Sequence, residues 1–284
     1  MTRGLPPARR RLPAVALAVL LLIAGVAVAA GALAPYPPRA TAGAPVGAPS
    51  GAHWLGTNDL GQDLLSQLLV GTRFSLVLGA AAAGLSTLLS GTVGVLAAAW
   101  PRAQAPLVAL TDSVLAIPQL PALVLLLALR GPGPDSLAVG LALISWPAYA
   151  RVVRSQARGV LRRDYVEAAR AAGASDTRIL RTCVLPEVLP VLWTKFLLTL
   201  RWTILMEATL ALMGLGDPSA ITWGLMLQTA FGYPLLFATS AWAWWALPPA
   251  LAIAVLTVAL SAAGRDFEAW LNPASGPGTG PGYR

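Results

Sequence analysis

Three charged side chains stand inside otherwise apolar runs: Asp112, Arg201 and Glu207. An unpaired charge is costly in a membrane, so each either serves a function or bonds to a neighbouring helix. Asp112 lies near one end of its run, within reach of water. Other candidates for chemistry are few. Lys195 is the only lysine, so a phosphate-binding loop of the form GxxxxGK[ST] is absent. His53 is the only histidine, which excludes an HExxH zinc site and argues against a Ser-His-Asp triad. Cys183 is the only cysteine, so no internal disulfide can form. Any ATP chemistry must come from another chain.

The elements that hold these residues follow from composition. The chain is 56% hydrophobic and 11% charged, with a mean hydropathy of +0.67. A soluble domain is about a quarter charged. This chain cannot cover itself with polar surface and belongs in a membrane. The expected fold is all-α and polytopic, with about six transmembrane helices. The net charge of +8 does not point to nucleic acid, because the arginines flank apolar runs and are explained by topology.

Residues 1–11, with Arg3, Arg9, Arg10 and Arg11, read as a cytoplasmic N-terminus. Residues 12–34 read as a first transmembrane helix. Ala32-Leu33-Ala34 imitates a cleavage site, but this apolar core is about 20 residues and secretory cores run to roughly 7–15. Residues 35–72 read as an external loop, rich in Pro and Gly, that ends in an amphipathic helix. Thr57-Asn58-Asp59 is its N-cap cluster, and Leu60, Leu64, Leu65, Leu68 and Leu69 share a face. That helix lies either at the outer membrane surface or against the bundle. His53 and Trp54 read as loop and interface residues.

Residues 73–271 hold the remaining spans, from Phe74 to Trp100, over 105–129 and 136–153, from Val191 to Met213, and from Leu247 to Ala263. Pro101-Arg102 reads as a tight turn. Pro118 and Pro121 interrupt the third span, as a kink at a pathway or as a packed kink with no role. Residues 214–245 read as an external segment, with Trp242, Trp244 and Trp245 as an interfacial belt. Residues 272–284 read as a disordered cytoplasmic tail. On this topology 16 of the 20 Lys and Arg fall inside, and only Arg39, Arg73 and Arg130 fall outside. Both termini are therefore expected in the cytoplasm.

The polar stretch 151–190 separates two of the spans. Asp164-Tyr165-Val166-Glu167 has the form of a capping box that opens a short helix. Gly173 can close it in the left-handed conformation, Ser175 can cap a second short helix, and Leu185-Pro186 is expected to stop that one. Each helix is about 8 residues, or roughly 12 Å, too short to cross a bilayer or to stand alone. The stretch is either a loop lying on its own helix ends or a docking element for a soluble partner.

Glu167-Ala168-Ala169, then Gly173-Ala174, then Leu185-Pro186 resembles the EAA signature of binding-protein-dependent ABC importer permeases. That pattern usually has an aliphatic residue or His two positions before the leucine, where this chain has Cys183. His53-Trp54-Leu55-Gly56-Thr57 with Leu60-Gly61-Gln62-Asp63 resembles a segment of the dipeptide/oligopeptide/nickel subfamily. So do Glu207-Ala208-Thr209-Leu210, Gly214-Leu215-Gly216 and Thr222-Trp223-Gly224. The resemblance covers roughly residues 50–272. It implies a multi-pass subunit of a bacterial-type plasma (inner) membrane, with 158–190 as a coupling-helix loop.

In that reading Asp164, Glu167, Ala168, Ala169, Gly173, Ala174, Leu185 and Pro186 meet an ATPase. Asp112, Pro118, Pro121, Arg201 and Glu207 belong to a pathway or to bundle packing. The implied partners are a second permease subunit, two ATPase subunits or domains, an external solute-binding protein and the lipid bilayer. ATP and Mg would bind at the ATPase subunits, and this chain would bind no cofactor and catalyse nothing. The implied cargo is di- or oligopeptide, with nickel or another small solute as the alternative. From residues alone two other classes stay open. An ion-coupled carrier would load ions on Asp112 and Glu207. A membrane scaffold would transport nothing.

Overall fold

The computed structural model describes residues 11–271. Every regular element among them is helical, and the only β contacts are isolated bridges, Thr41 with Gln62 and Thr57 with Asp63. Residues 1–10 of the cytoplasmic segment expected at 1–11, and the disordered tail expected at 272–284, lie outside the described residues. Five of the described helices are long and apolar enough to cross a membrane, and a sixth span arises if one bent helix pair counts as one.

Helix α1 (Arg11–Leu33) inverts the pattern of a soluble helix. Leu17, Leu21, Leu22 and Val28 are exposed, while Ala16, Ala27 and Ala30 are buried. Leucine toward lipid and alanine toward protein is the arrangement that lets membrane helices pack closely. Helix α2 (Leu64–Ala99) runs without interruption for 36 residues. The separate amphipathic helix expected from Leu60 does not form. The Asn58 Oδ1 accepts from the N–H groups of Leu60 and Gln62, and this holds 58–62 in a turn. Asp63 then caps the helix, its Oδ2 accepting from the Ser66 N–H at 2.8 Å. No proline follows before Ala99, so nothing ends the helix at the membrane surface.

The break expected at Pro101-Arg102 falls one residue earlier, at the extended Trp100, and Pro101 opens α3 (Pro101–Leu115), where its missing N–H is harmless. The next helix, α4 (Gln119–Arg130), leaves α3 at 87°. Pro118 lies in the break, and its carbonyl accepts from Ala122. Pro121 falls in the first turn of α4, where no intrahelical donor is needed. The interruption expected at these prolines is present as a sharp corner. Helix α5 (Pro134–Leu161) follows.

After α5 come α6 (Asp164–Ala171), α7 (Asp176–Ile179) and a π-helical turn, Leu180–Val184. That turn runs directly into α8 (Leu185–Leu212). The proline stop expected at Leu185-Pro186 is therefore absent. Leu185 keeps helical angles of −58° and −46°. A proline in a helix clashes with the carbonyl four residues back, and the wider i→i+5 turn relaxes that crowding. The second short helix is accordingly only the four residues of α7.

Tertiary contacts divide the chain into two units. The first takes in the chain up to Ala81, Val124–Ala138 and Leu200–Ala263. The second takes in Ala82–Leu123, Val139–Thr199 and the chain from Gly264 on. In the second unit α2 and α5 approach closely, since a Cβ on Gly94 would come within 2.7 Å of the Val153 Cβ. Hydroxyls bridge the same pair of helices. Ser90 donates to the Trp146 carbonyl at 2.9 Å, and Ser145 donates to Ser86 at 2.8 Å. Small residues with interhelical hydrogen bonds are what hold helices together where lipid removes the hydrophobic drive.

In the first unit, helix α9 (Trp223–Gly232) lies within the stretch 214–245 read as an external segment. It lies so close to α8 that a Cβ on Gly224 would sit 2.7 Å from the Ala208 Cα. The single turn α10 (Trp242–Trp245) turns its tryptophans different ways. Trp242 is exposed, but Trp245 is fully buried and faces Tyr233 at 5.6 Å, so the expected aromatic belt is only partial. Helix α11 (Leu247–Leu271) ends the described chain.

The segment before α2 is tied down by side chains rather than by secondary structure. His53 Nδ1 lies 2.9 Å from Asp63 Oδ1 and Nε2 lies 3.2 Å from the Ala42 carbonyl. Arg39 donates to the Pro218 and Ser219 carbonyls. His53 is thus a strut inside the loop, while Trp54 is exposed as expected.

Candidate functional site

Helix α6 carries the residues singled out in the sequence. Its first turn holds Asp164 and Glu167 and its last holds Arg170, so all three charges complement the helix dipole. The capping box itself is not formed. The N-cap is Arg163, which makes no side-chain cap bond, and Asp164 is the first helical residue. The other end closes as expected. Gly173 has φ +85°, its N–H donates to the Arg170 carbonyl at 2.9 Å, and the Ala174 N–H donates to the Ala169 carbonyl at 3.0 Å. This pair of bonds is a Schellman motif, which a residue with a β-carbon would strain. Ser175 then caps α7, accepting from the Arg178 N–H.

An eight-residue helix has little stability of its own. Here one apolar cluster holds it. Val166 of α6 is buried with Val153, Ala157 and Val160 of α5, Ile179 of α7, Val184 of the π turn and Val188 of α8. Each of the cluster's valine and isoleucine side chains contributes about 1.5–3 kcal/mol when fully buried. The cluster therefore fixes α6 and α7 to the ends of both α5 and α8. Ala174 and Cys183 pack on its edge. A surface ion pair, Arg163 to Glu187 at 2.9 Å, spans the same junction. The Glu187 carboxylate pushes the Arg163 guanidinium above its ordinary value. Both side chains are nearly half exposed, so the pair adds little to stability.

The opposite side of α6 is uncovered. Asp164, Tyr165, Glu167 and Ala168 are exposed, Ala169 is half-buried, and Gly173 is exposed at the corner. Leu161, Arg162, Glu167, Arg170 and Ala171 line an open groove of about 670 Å³ beside the helix. Leu185 and Pro186 are exposed at the start of α8. The eight candidate docking residues thus lie on one short stretch fastened to two long helices. Sequence reasoning missed the anchors Val166, Ile179, Val184 and Val188. Their signal was the aliphatic residue recurring among the charges, whose direction only the fold reveals.

The other candidates fall elsewhere. Asp112 accepts from Arg151 at 2.7 Å, and both side chains are about half exposed. Pro118 and Pro121 make the corner between α3 and α4. Arg201 of α8 donates to Ser261 Oγ of α11 at 2.9 Å. Glu207 of α8 is buried and accepts at 2.6 Å from Thr222, the N-cap residue of α9. Each charge in an apolar run therefore has a partner on another segment. Lys195 places its ammonium 5.0 Å from the centre of the Tyr149 ring, a cation–π contact between α8 and α5.

The helices and their lipid-type exposure pattern define a multi-pass membrane protein. Residues 90–275 match the family described as binding-protein-dependent transport system inner membrane component, and the chain belongs to that family. It is 36% identical over 222 residues to the di/tripeptide transport system permease protein DppC of Pseudomonas aeruginosa (strain UCBPP-PA14), covering 77% of this chain and 71% of that one. It is 33% identical over 231 residues to the probable D,D-dipeptide transport system permease protein DdpC of Escherichia coli (strain K12), covering 80% and 76%. Its fold is like that of a chain in the inward-facing MetNI methionine ABC transporter (CY5 native crystal form), with a TM-score of 0.54 and 21% identity. That likeness covers 71% of this chain and 96% of the other.

Proposed function

We propose that this chain is a permease subunit of an ATP-driven importer of di- or oligopeptides. It lines the translocation pathway beside a second permease subunit, receives cargo from an external solute-binding protein and docks on two ATPase subunits or domains. ATP and Mg²⁺ bind at the ATPase, and this chain contributes no catalytic group. The permease domain spans 73–271 after a first transmembrane helix at 12–34, and 158–190 is its coupling loop. Both termini and that loop lie in the cytoplasm, a topology the arginine distribution favours.

The observation that carries this reading is the fastening of α6. Its polar face is exposed while Val166 joins the cluster at the ends of α5 and α8. A displacement applied to α6 is passed to the ends of both α5 and α8. The peptide cargo rests on the relatives' substrates, and nickel or another small solute is the alternative. An ion-coupled carrier would need intramembrane carboxylates free to load ions. Asp112 is paired with Arg151, and Glu207 is engaged by Thr222.

Reconstitution tests the reading. The chain, its second permease, the ATPase and the binding protein are placed in liposomes, and labelled dipeptide uptake is followed. Uptake is expected only with ATP and binding protein present. Uptake driven by a proton or sodium gradient without ATPase would establish the carrier instead. ATP-driven nickel uptake with no peptide uptake would keep the importer and replace its cargo.

A further inference from the structure

In the second unit, α2 and the start of α8 leave an elongated groove of about 700 Å³ between them. Leu88, Val95 and Leu96 line it from α2, and Leu189, Leu192 and Phe196 line it from α8. Among the described residues one charged side chain lines it, Arg181 of the π turn. Gly91 of α2 lies against Leu192, a Cβ there coming within 3.1 Å of that side chain. Counting outward along the antiparallel pair brings Trp100, at the end of α2, level with the π turn. Arg181 therefore stands at one mouth of the groove, together with Thr177 and Trp100. No carboxylate among the described residues forms an ion pair with it.

Size decides what fits. From Gly84 to Trp100 the groove follows α2 for about 24 Å, more than the roughly 15 Å depth of one hydrocarbon leaflet. Spread over that length, its volume is a mean cross-section of about 30 Å². A single hydrocarbon chain is thin enough to lie along it. A guanidinium without a carboxylate partner, beside a hydroxyl and an indole, suits a phosphate at the membrane surface.

We propose that this groove holds one acyl chain of an anionic phospholipid, with the headgroup phosphate on Arg181. The lipid packs against the π turn and the first three turns of α8, and so joins the loop that carries α6 to the bilayer. Its charge selectivity resides in Arg181 and its seat in the apolar walls.

Native mass spectrometry of the full-length chain, delipidated and then supplied with phosphatidylglycerol or phosphatidylcholine, tests this. One phosphatidylglycerol per chain is expected to persist. Arg181→Gln is expected to lower the preference for it over phosphatidylcholine about fivefold. Thr92→Trp, at an exposed position in the groove wall, is expected to abolish retention of both lipids. Equal retention of the two lipids by the native chain, or unchanged selectivity in Arg181→Gln, overturns the proposal. So does an equal loss in Arg178→Gln, which lies outside the groove and would mark diffuse surface charge. A disulfide in native membranes between Thr92→Cys, in a Cys183→Ser background, and a second protein chain also overturns it, because the groove is then a subunit interface.

Discussion

The Thr222 hydroxyl donates a 2.6 Å hydrogen bond to Glu207 Oε1 while accepting, at 3.1 Å, from the backbone N–H of Leu225. One side chain thus caps α9 and satisfies a buried carboxylate of α8. Gly224 completes the junction, because any larger residue there would meet the Ala208 backbone. A helix of only 10 residues is held in place by these contacts, with Trp223 donating its indole N–H to the Leu68 carbonyl at 3.3 Å.

Thr222→Val is therefore expected to destabilise the protein on two counts. The lost cap costs about 0.5–2 kcal/mol. Leaving the buried Glu207 oxygen without its donor costs about 1–3 kcal/mol more. Thermal unfolding of the purified chain, followed by size-exclusion chromatography, measures their sum. Glu207→Gln keeps an acceptor for Thr222 and should melt closer to the native protein. An unchanged melt in Thr222→Val would mean that another group holds α9.

Gly173→Val places a β-branched residue at φ +85°. The strain is about 1–3 kcal/mol, and opening the corner is the way to relieve it. Membrane levels should stay near normal, because the apolar spans are untouched. Capture of the ATPase and peptide uptake should both fall. Native capture and native uptake in this variant would reduce the loop to a connector.

Ile179→Ala tests the anchor rather than the corner. Truncating a buried aliphatic side chain to alanine costs about 2–5 kcal/mol. Ile179 belongs to the cluster that fixes α6 and α7, so limited proteolysis should cut faster within 163–178 while the spans remain protected. If cleavage there does not accelerate, α6 is held by something other than this cluster.

Arg201 and Ser261 form a charge-assisted bond between α8 and α11. Such bonds contribute about 1.5–3 kcal/mol. A double-mutant cycle with Arg201→Gln and Ser261→Ala should show coupling in thermal stability, with the cargo carried by the surviving protein unchanged. Altered cargo choice at full stability would make Arg201 a pathway residue instead.

Topology is checked with reporters. Fusions at Arg163 and at the C-terminus should report cytoplasm, and one within 35–56 should report the outside. Processing of the native chain after Ala34, or a C-terminus outside, contradicts the proposed orientation.

Much of this protein is determined by its sequence alone. The shortage of charge dictates a membrane, and the apolar runs dictate helices, because an unpaired backbone cannot cross lipid. Gly173 and Ser175 announce their roles because a positive φ and an N-cap bond involve only three or four neighbouring residues. The effect of Pro118 and Pro121 on the third span is equally local. Pro186 was misleading for a tertiary reason. Whether it stops a helix depends on the hydrogen-bond pattern of the turn before it, and that turn widened while Val184 and Val188 packed into a cluster with α5 and α6. Asp164 likewise matches a cap pattern, yet the chain enters α6 one residue earlier.

Only the tertiary structure decided the rest. Ten residues of α9 carry too little periodicity to stand out, and Glu207, which accepts from their N-cap Thr222, lies 15 positions away from it. His53 found Asp63, Arg201 found Ser261, and the π turn left Arg181 at the mouth of an apolar groove. Each of these depends on where distant backbones lie, and a charge or hydroxyl in the sequence does not reveal which of several partners the packing will bring within 3 Å.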